Sequence, residues 1–453
     1  MSLPVISTVK QLPPGPRAFL FFSGCNLVSW QCIVGPAMVL FARELHMPPS
    51  WVGWLLAFLP LTNLLVVGMV PLVMRIGPKR LMLSTWGARN IAVSSVLLMP
   101  LVLSRFGEHA AWYLLAGAIL AFCSIRAIGS GGWLPWVHEI VPDDCRGPFF
   151  SAEAAIVQFL NIFVILGQGF LLRGDPGLTQ FLLVYAFGIV AGLVSLLWMS
   201  RIPGGAGNTD AQAVARGFGT YRNAFADKRF VRLVIFASAA YAGVTLYTAA
   251  QVMFLRDVLH VGPDAIMGVL ALGSLGVVLS IHSWSNFTEH SGSGTTMRLT
   301  LIGFASAVLC FLLVRPGAVW APYAAAGLMV VAAAFSAAGF SAANRAMLNF
   351  THSDYRVAYG NLWSMGTSIA LGISPIIAGE IIERLDLLGF EICFIGAGLI
   401  ALTCAALSST VVPDERLGVN RPDAFPIRPG RPLRDLARAA RITVGLHRSN
   451  RKD

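Results

Sequence analysis

Continuous apolar runs of about 20 residues or more recur along the chain, each long enough to cross ~30 Å of hydrocarbon at 1.5 Å per residue. Lipid offers the backbone no hydrogen-bond partner, so a spanning segment must pair its own amides within a helix or a closed barrel. Barrel strands alternate polar and apolar residues over ~10 positions, and these runs do not alternate. The sequence therefore predicts an all-α polytopic membrane protein. Composition agrees: of 453 residues, 56% are hydrophobic and 12% charged, against roughly 45–50% and ~25% in soluble proteins. A soluble chain of this size, a disordered one and a disulfide-stapled one are excluded.

The runs predict twelve spans, near residues 18–42, 51–74, 81–104, 111–137, 153–172, 179–200, 231–253, 265–284, 298–315, 320–348, 359–382 and 391–411. Short connections join them except Arg201–Arg229, a Gly-rich basic segment that divides the spans six and six. The expected organisation is an N-terminal six-helix bundle over 1–200, a linker over 201–229, a C-terminal six-helix bundle over 230–411 and a basic tail over 412–453. Met1–Pro16 lacks the short apolar core and small-residue cleavage site of a signal peptide. The seven cysteines, Cys25, Cys32, Cys123, Cys145, Cys310, Cys393 and Cys404, fall mostly within apolar runs and show no metal-ligand spacing. They read as reduced thiols. With the N-terminus inside, about 25 of the 33 Lys and Arg residues lie on the inner side, as the positive-inside rule requires. This asymmetry predicts a multi-pass protein of a bacterial inner (plasma) membrane with both termini and the linker in the cytoplasm. The net charge of +11 is then topology plus attraction to anionic inner-leaflet lipid, and not a nucleic-acid footprint.

The two halves repeat. FARELHMPPSWVG (Phe41–Gly53) follows the first span and FLRDVLHVGPDAIMG (Phe254–Gly268) the seventh, and Phe, Arg, an acid, His and Gly recur in order. DDCRG (Asp143–Gly147) and SDYRV (Ser353–Val357) align Asp144 with Asp354 and Arg146 with Arg356. An offset of roughly 210 residues implies two six-helix units in the same orientation, with a substrate site at midplane between them.

In this arrangement, residues 10–411 resemble the major facilitator superfamily (MFS) of secondary transporters. Between spans two and three, that family has a glycine, an aspartate, a basic residue, a glycine and further basic residues. In VPLVMRIGPKRL, Arg75, Gly77, Lys79 and Arg80 fit; Val70 stands in the first glycine place and Met74 in the aspartate place. The second copy, WSNFTEHSGSG, keeps Glu289 and Gly292 without the basic run. With Asp144, Arg146, Asp354 and Arg356, these are the residues that the resemblance assigns to conformational motifs. RAIGSGGW is similar to the arginine-plus-glycine motif of the superfamily's proton-coupled antiporters, with Arg126 in the arginine place. ILGQGFLL has Gly167 and Gly169 of the fifth-span antiporter motif but not its proline.

Charges inside a bilayer cost several kcal/mol and face the bundle interior. Arg126 falls near the middle of span four. Arg89, followed by Asn90, falls near the middle of span three, and no acid shares their depth in the first six spans. Three readings stay open for Arg126: glue on carbonyls and hydroxyls, tuning of a proton relay, or a five-donor clamp on an anionic substrate. Span three is peripheral in the resembled fold, so for Arg89 the structural reading leads. It leads also for Arg345, which is within snorkelling reach of water. The resemblance places spans 1, 4, 7 and 10 around the cavity, which makes Asn26, Trp30, Gln31, Arg126, Tyr241, Thr245 and Gln251 the candidate substrate-binding residues. Asn26 and Trp30 share a helical face, with Gln31 a step round. Gln158 and Asn161 in span five, and Asn361, Ser364 and Ser368 in span eleven, add polar stripes. Any one of these also suits an interhelical hydrogen bond worth ~0.6 kcal/mol. His46 and His260, in matching outer loops, read as relics of the repeat and not as metal ligands. Arg431–Leu446 forms either an interfacial amphipathic helix or a solvated tail.

No Walker loop, nucleotide fingerprint or zinc-protease motif occurs, so no enzyme, cofactor or metal site is expected. The sequence predicts a monomeric secondary active transporter of a small solute, working by alternating access, with a slight preference for an organic anion. Its partners would be that solute, a coupling proton or ion, and membrane lipid. The alternatives are drug-type efflux of amphipathic compounds, or a non-transporting assembly factor or sensor on the same fold.

Overall fold

The structure, a computed structural model, describes residues 12–141, 146–205, 224–350, 356–412 and Ile442. Asp144 and Asp354, and Arg431–Leu446 apart from Ile442, lie outside the described residues, as do the side chains of Arg146 and Arg356. The described chain is helical, without strands. The helices are α1 (Pro14–Ile33), α2 (Pro36–Glu44), α3 (Pro49–Thr62), α4 (Leu65–Gly68), α5 (Val70–Ile76), α6 (Pro78–Ser94), α7 (Met99–Ser130), α8 (Trp133–Ile140), α9 (Arg146–Leu171), α10 (Leu178–Arg201), α11 (Lys228–Met253), α12 (Pro263–Ser291), α13 (Ser293–Leu309), α14 (Ala321–Phe350) and α15 (Arg356–Val411).

Proline stands in the first turn of α1, α2, α3, α5, α6 and α7, where its missing N–H has no helical partner to lose. Asp227 caps α11: its Oδ1 accepts from the N–H groups of Arg229 (3.0 Å) and Phe230 (3.1 Å), satisfying donors that a helix start leaves open.

Nine helical segments among the described residues are long and apolar enough to cross a membrane. They differ from the twelve expected spans at three places. Pro78–Ser130 and Ala358–Val411 are 53 and 54 residues long, more than twice the ~20 a bilayer needs. Each holds one residue outside helical geometry, Gly107 (φ 79°) and Asp386 (φ 47°). In the third place, residues 49–76, no helix is long enough. Pro60 lies inside α3 and the helix stops at Thr62, where the bonding tightens to i→i+3, Asn63 N–H donating to Pro60 O (3.2 Å) and Leu64 N–H to Leu61 O (3.1 Å).

The backbone repeats as the sequence does. His46 (φ 56°) and His260 (φ 52°), Gly77 (87°) and Gly292 (85°), Gly107 (79°) and Gly317 (84°), and Gly174 (82°) and Asp386 (47°) all adopt left-handed φ, and each pair is separated by the offset seen in the sequence. L-residues avoid this region, so its recurrence marks equivalent turns. The hairpin at Gly77 has Gly77 N–H donating to Val73 (2.9 Å), and that at Gly292 has Gly292 N–H donating to Thr288 (2.9 Å). His46 ends a helix in this geometry, with its ring 3.6 Å from Glu108.

Contacts divide the chain into two compact units, Met1–Phe218 with Gly262–Ala271, and Gly219–Val261 with Leu272–Asp453. In the first, α1 and α10 run antiparallel. Phe21 stacks on Trp198 (4.7 Å between centroids), and Tyr185 at the other end donates to Ile33 O (3.2 Å). Gly188 and Gly192 allow this approach: a Cβ at Gly188 would stand 2.6 Å from that of Cys32, and one at Gly192 2.8 Å from Ser29 Oγ. Phe19, Phe22, Trp86, Trp136 and Phe149 form the aromatic core near the start of α1. In the second unit, α15 packs on both α11 and α13, and the Tyr359 hydroxyl donates to Asp227 Oδ2 (3.0 Å).

Candidate substrate site

The first unit gathers its polar groups where two spans break. The first break separates α1 from α2 at Val34–Gly35. A helix end leaves its last carbonyls without amide partners, and in lipid such groups must be satisfied by protein. Gln168 Nε2 on α9 donates to Gln31 O (3.1 Å) and Tyr185 to Ile33 O. The Gln31 side chain donates to Asn161 Oδ1. Gln31 therefore faces α9, a step round from Asn26 and Trp30, as its place on the helix predicts.

The second break follows Pro60. Asn63 closes α3, and its Oδ1 accepts from an Arg126 terminal nitrogen. Arg126 is half-buried. Its guanidinium carbon stands 5.0 Å from the centre of the Trp30 ring, a cation–π arrangement, and its Nε is buried without a hydrogen-bond partner among the described residues.

Arg89 lies beside it. It is fully buried, at 0% exposure, and its guanidinium lies 4.3 Å from the Trp86 ring and 4.8 Å from Phe122. One terminal nitrogen donates to Asn26 Oδ1 (2.6 Å), which also accepts from Trp86 Nε1 (3.0 Å). Nε and the other terminal nitrogen have no partner among the described residues. The two arginines are close enough to repel each other, and among the described residues no carboxylate contributes to either. The Arg89 side chain reaches the polar cluster through Asn26. The cluster holds two positive charges, two amide oxygens and three aromatic rings.

The second unit supplies a different surface. Tyr241 is buried edge-on against Phe340 (4.3 Å between centroids). It lines a small apolar cleft with Thr300, Phe304, Phe335, Ser336 and Phe340. The Thr245 hydroxyl donates back to Tyr241 O (2.7 Å). Gln251 is half-buried near the end of α11.

The motif loop of the first unit is tied in a way the sequence did not signal. Lys79 Nζ donates to Ile202 O (2.5 Å), Lys79 N–H to Gly205 O (3.2 Å), Trp136 Nε1 to Pro203 O (3.0 Å), and Gly205 N–H to Glu139 Oε2 (2.9 Å). The start of the expected linker is therefore strapped to α6 and α8, with Gly204 and Gly205 both at φ 73°. Arg75, Arg80 and Glu289 are exposed. Sequence reasoning also missed Asn63, Gln168 and Tyr185. Gln168 carried a signal, as a lone amide between Gly167 and Gly169 in an apolar run.

Residues 233–444 match the family model of the Major Facilitator Superfamily. Among curated proteins, none matches the chain in sequence. Solved structures share its fold. A bacterial homologue of the iron transporter ferroportin, in an inward-facing state, is 13% identical with a TM-score of 0.66, covering 91% of this chain and 98% of its own. A D-xylose–proton symporter is 12% identical, TM-score 0.66, over 88% and 98%. The nucleoside transporter NupG is 12% identical, TM-score 0.61, over 90% and 99%. With its second half matching the family model, helices apolar and long enough to cross a bilayer, and a fold shared with these transporters, the chain is a multi-pass membrane protein similar to the major facilitator superfamily.

Proposed function

We propose that the chain is a secondary active transporter that moves a small organic anion by alternating access. Its six-helix bundles would be residues 1–200 and 230–411, with the termini and linker in the cytoplasm of a bacterium and the protein in the inner membrane. The observation that carries the reading is Arg126. Its guanidinium is oriented by Trp30 and Asn63 and half-open, and its positive charge is reinforced by Arg89 instead of being cancelled by an acid. Unpaired like charges in a low-dielectric bundle favour an anion arriving with its own negative charge. Asn26, held by Arg89 and Trp86, orients the second charge behind the first, and Trp30 supplies an apolar wall. Transport requires that the anion bind the two states of the carrier with different free energy.

Ligand-dependent thermal stabilisation across a library of anions, sugars and amphipathic drugs tests this, repeated with Arg126→Lys and Arg126→Gln. Lysine keeps the charge and loses the fork geometry, so anion binding is expected to weaken by about 1–3 kcal/mol, the range of charged hydrogen bonds. Glutamine should weaken it further. Unchanged affinity for every stabilising anion in a folded Arg126→Gln protein would remove the anion-site reading. The second reading, export of amphipathic compounds, draws on the apolar cleft around Tyr241, Phe304, Phe335 and Phe340; stabilisation by drugs and by no anion would favour it.

A further inference from the structure

We infer that the seam between α1 and α10 holds an anionic phospholipid, its phosphate between Arg17 and Arg201 and an acyl chain along the aromatic and apolar stripe beyond them. The register of the two helices carries the argument. Along α10, Tyr185 reaches Ile33, Gly188 abuts Cys32, Gly192 abuts Ser29, and Trp198 stacks on Phe21. The helices are antiparallel, and the register is constant over their whole contact. Arg17 lies four residues before Phe21 and Arg201 three residues after Trp198, so each shares the face of its aromatic neighbour. At 1.5 Å per residue both arginines lie about 5–6 Å beyond the stacked pair, at the same level, at the end where α1 begins and α10 finishes.

Both arginines are exposed. Arg201 is held with its guanidinium carbon 5.1 Å from the centre of the Trp198 ring, and Arg17 Nε donates to Leu12 O (2.6 Å), so neither head is free to wander. Below them the surface becomes apolar within one turn. Phe21 is 51% exposed, and Val194, Val190 and Phe187 continue the Trp198 face of α10 at 37%, 56% and 60%. Basic groups at an aromatic level, followed by an exposed apolar stripe, reproduce the order of a phospholipid: phosphate, glycerol, chain. Charge complementarity selects an anionic head over a zwitterionic one, and the stripe selects a lipid over a soluble phosphate.

The test uses the full-length protein in mild detergent, with binding followed by native mass spectrometry and by melting temperature. Phosphatidylglycerol, phosphatidylcholine of equal chain length, and glycerol phosphate are titrated separately. Phosphatidylglycerol is expected to bind and stabilise more than phosphatidylcholine, and glycerol phosphate to do neither. A basic residue near an anionic surface is worth about 1 kcal/mol, so Arg17→Gln and Arg201→Gln should each weaken phosphatidylglycerol binding about fivefold. The double variant should bind both lipids alike. Arg17→Lys/Arg201→Lys, which keeps the charge, retains the preference and serves if the glutamine pair fails to fold. Arg384→Gln, an exposed arginine on another helix, should change nothing. A full phosphatidylglycerol preference in the folded double glutamine variant overturns the inference. So does its loss in the lysine pair, or stabilisation by glycerol phosphate equal to that by the lipid.

Discussion

Among the described residues Asn26 is the one hydrogen-bond acceptor of the buried Arg89, so its replacement tests the packing of the first unit directly. In Asn26→Leu the side chain keeps its size but loses the oxygen that Arg89 (2.6 Å) and Trp86 (3.0 Å) share. A hydrogen bond to a charged group contributes about 1.5–3 kcal/mol and a neutral one about 0.5–1.5 kcal/mol. Two guanidinium nitrogens of Arg89 already lack partners among the described residues, and the side chain is fully buried, so no water replaces the lost acceptor. The expected destabilisation is about 3–4 kcal/mol, within the range for breaking a buried charge interaction by removing one partner. Adding Arg89→Met removes the stranded charge and fills its volume. The double variant should therefore be more stable than Asn26→Leu alone, which is strong coupling of the kind a double-mutant cycle measures. Equilibrium unfolding of the purified protein in mixed detergent gives all four values. A loss below about 1 kcal/mol for Asn26→Leu, or additive single and double effects, would refute the reasoning.

The strap at the start of the linker makes a second target. Gly205→Ala places a methyl at φ 73°, with its Cβ 2.6 Å from Lys79 Cβ and 2.8 Å from Trp136 Nε1. It should cost about 1–3 kcal/mol, and a melting temperature unchanged from the parent would contradict it. For topology, Gly207→Cys and Ser449→Cys should react with a membrane-impermeant maleimide only in inverted or opened vesicles; reaction from outside intact cells would reverse the orientation. A peptide of Arg431–Leu446 should gain helicity on acidic vesicles and lose it in high salt, which screens the attraction, as followed by circular dichroism. No change on adding vesicles would leave the segment a solvated tail.

Much of the architecture is local and so was readable along the chain. Apolar run length dictated the helices, since hydrocarbon leaves a backbone no other way to pair. The duplicated FAREL and FLRDV segments announced the repeat that the left-handed pairs His46/His260 and Gly77/Gly292 now display in the backbone. The break after Thr62 was not foreseen in the expected span 51–74. Arg126 and Arg89 stood out because a charge in an apolar run requires a reason. What the sequence could not supply was the partner of each. Asn63 and Asn26 each lie 63 residues from the arginine they bind, and nothing in either segment points to the other. That Arg89 enters the cluster, that Trp30 and Phe122 wall it, and that Pro203–Gly205 folds onto Lys79 and Glu139 depend on how helices distant in sequence are rotated against one another. Rotation is decided by close packing at Gly188, Gly192 and the aromatic core, and only the folded chain brings those surfaces together.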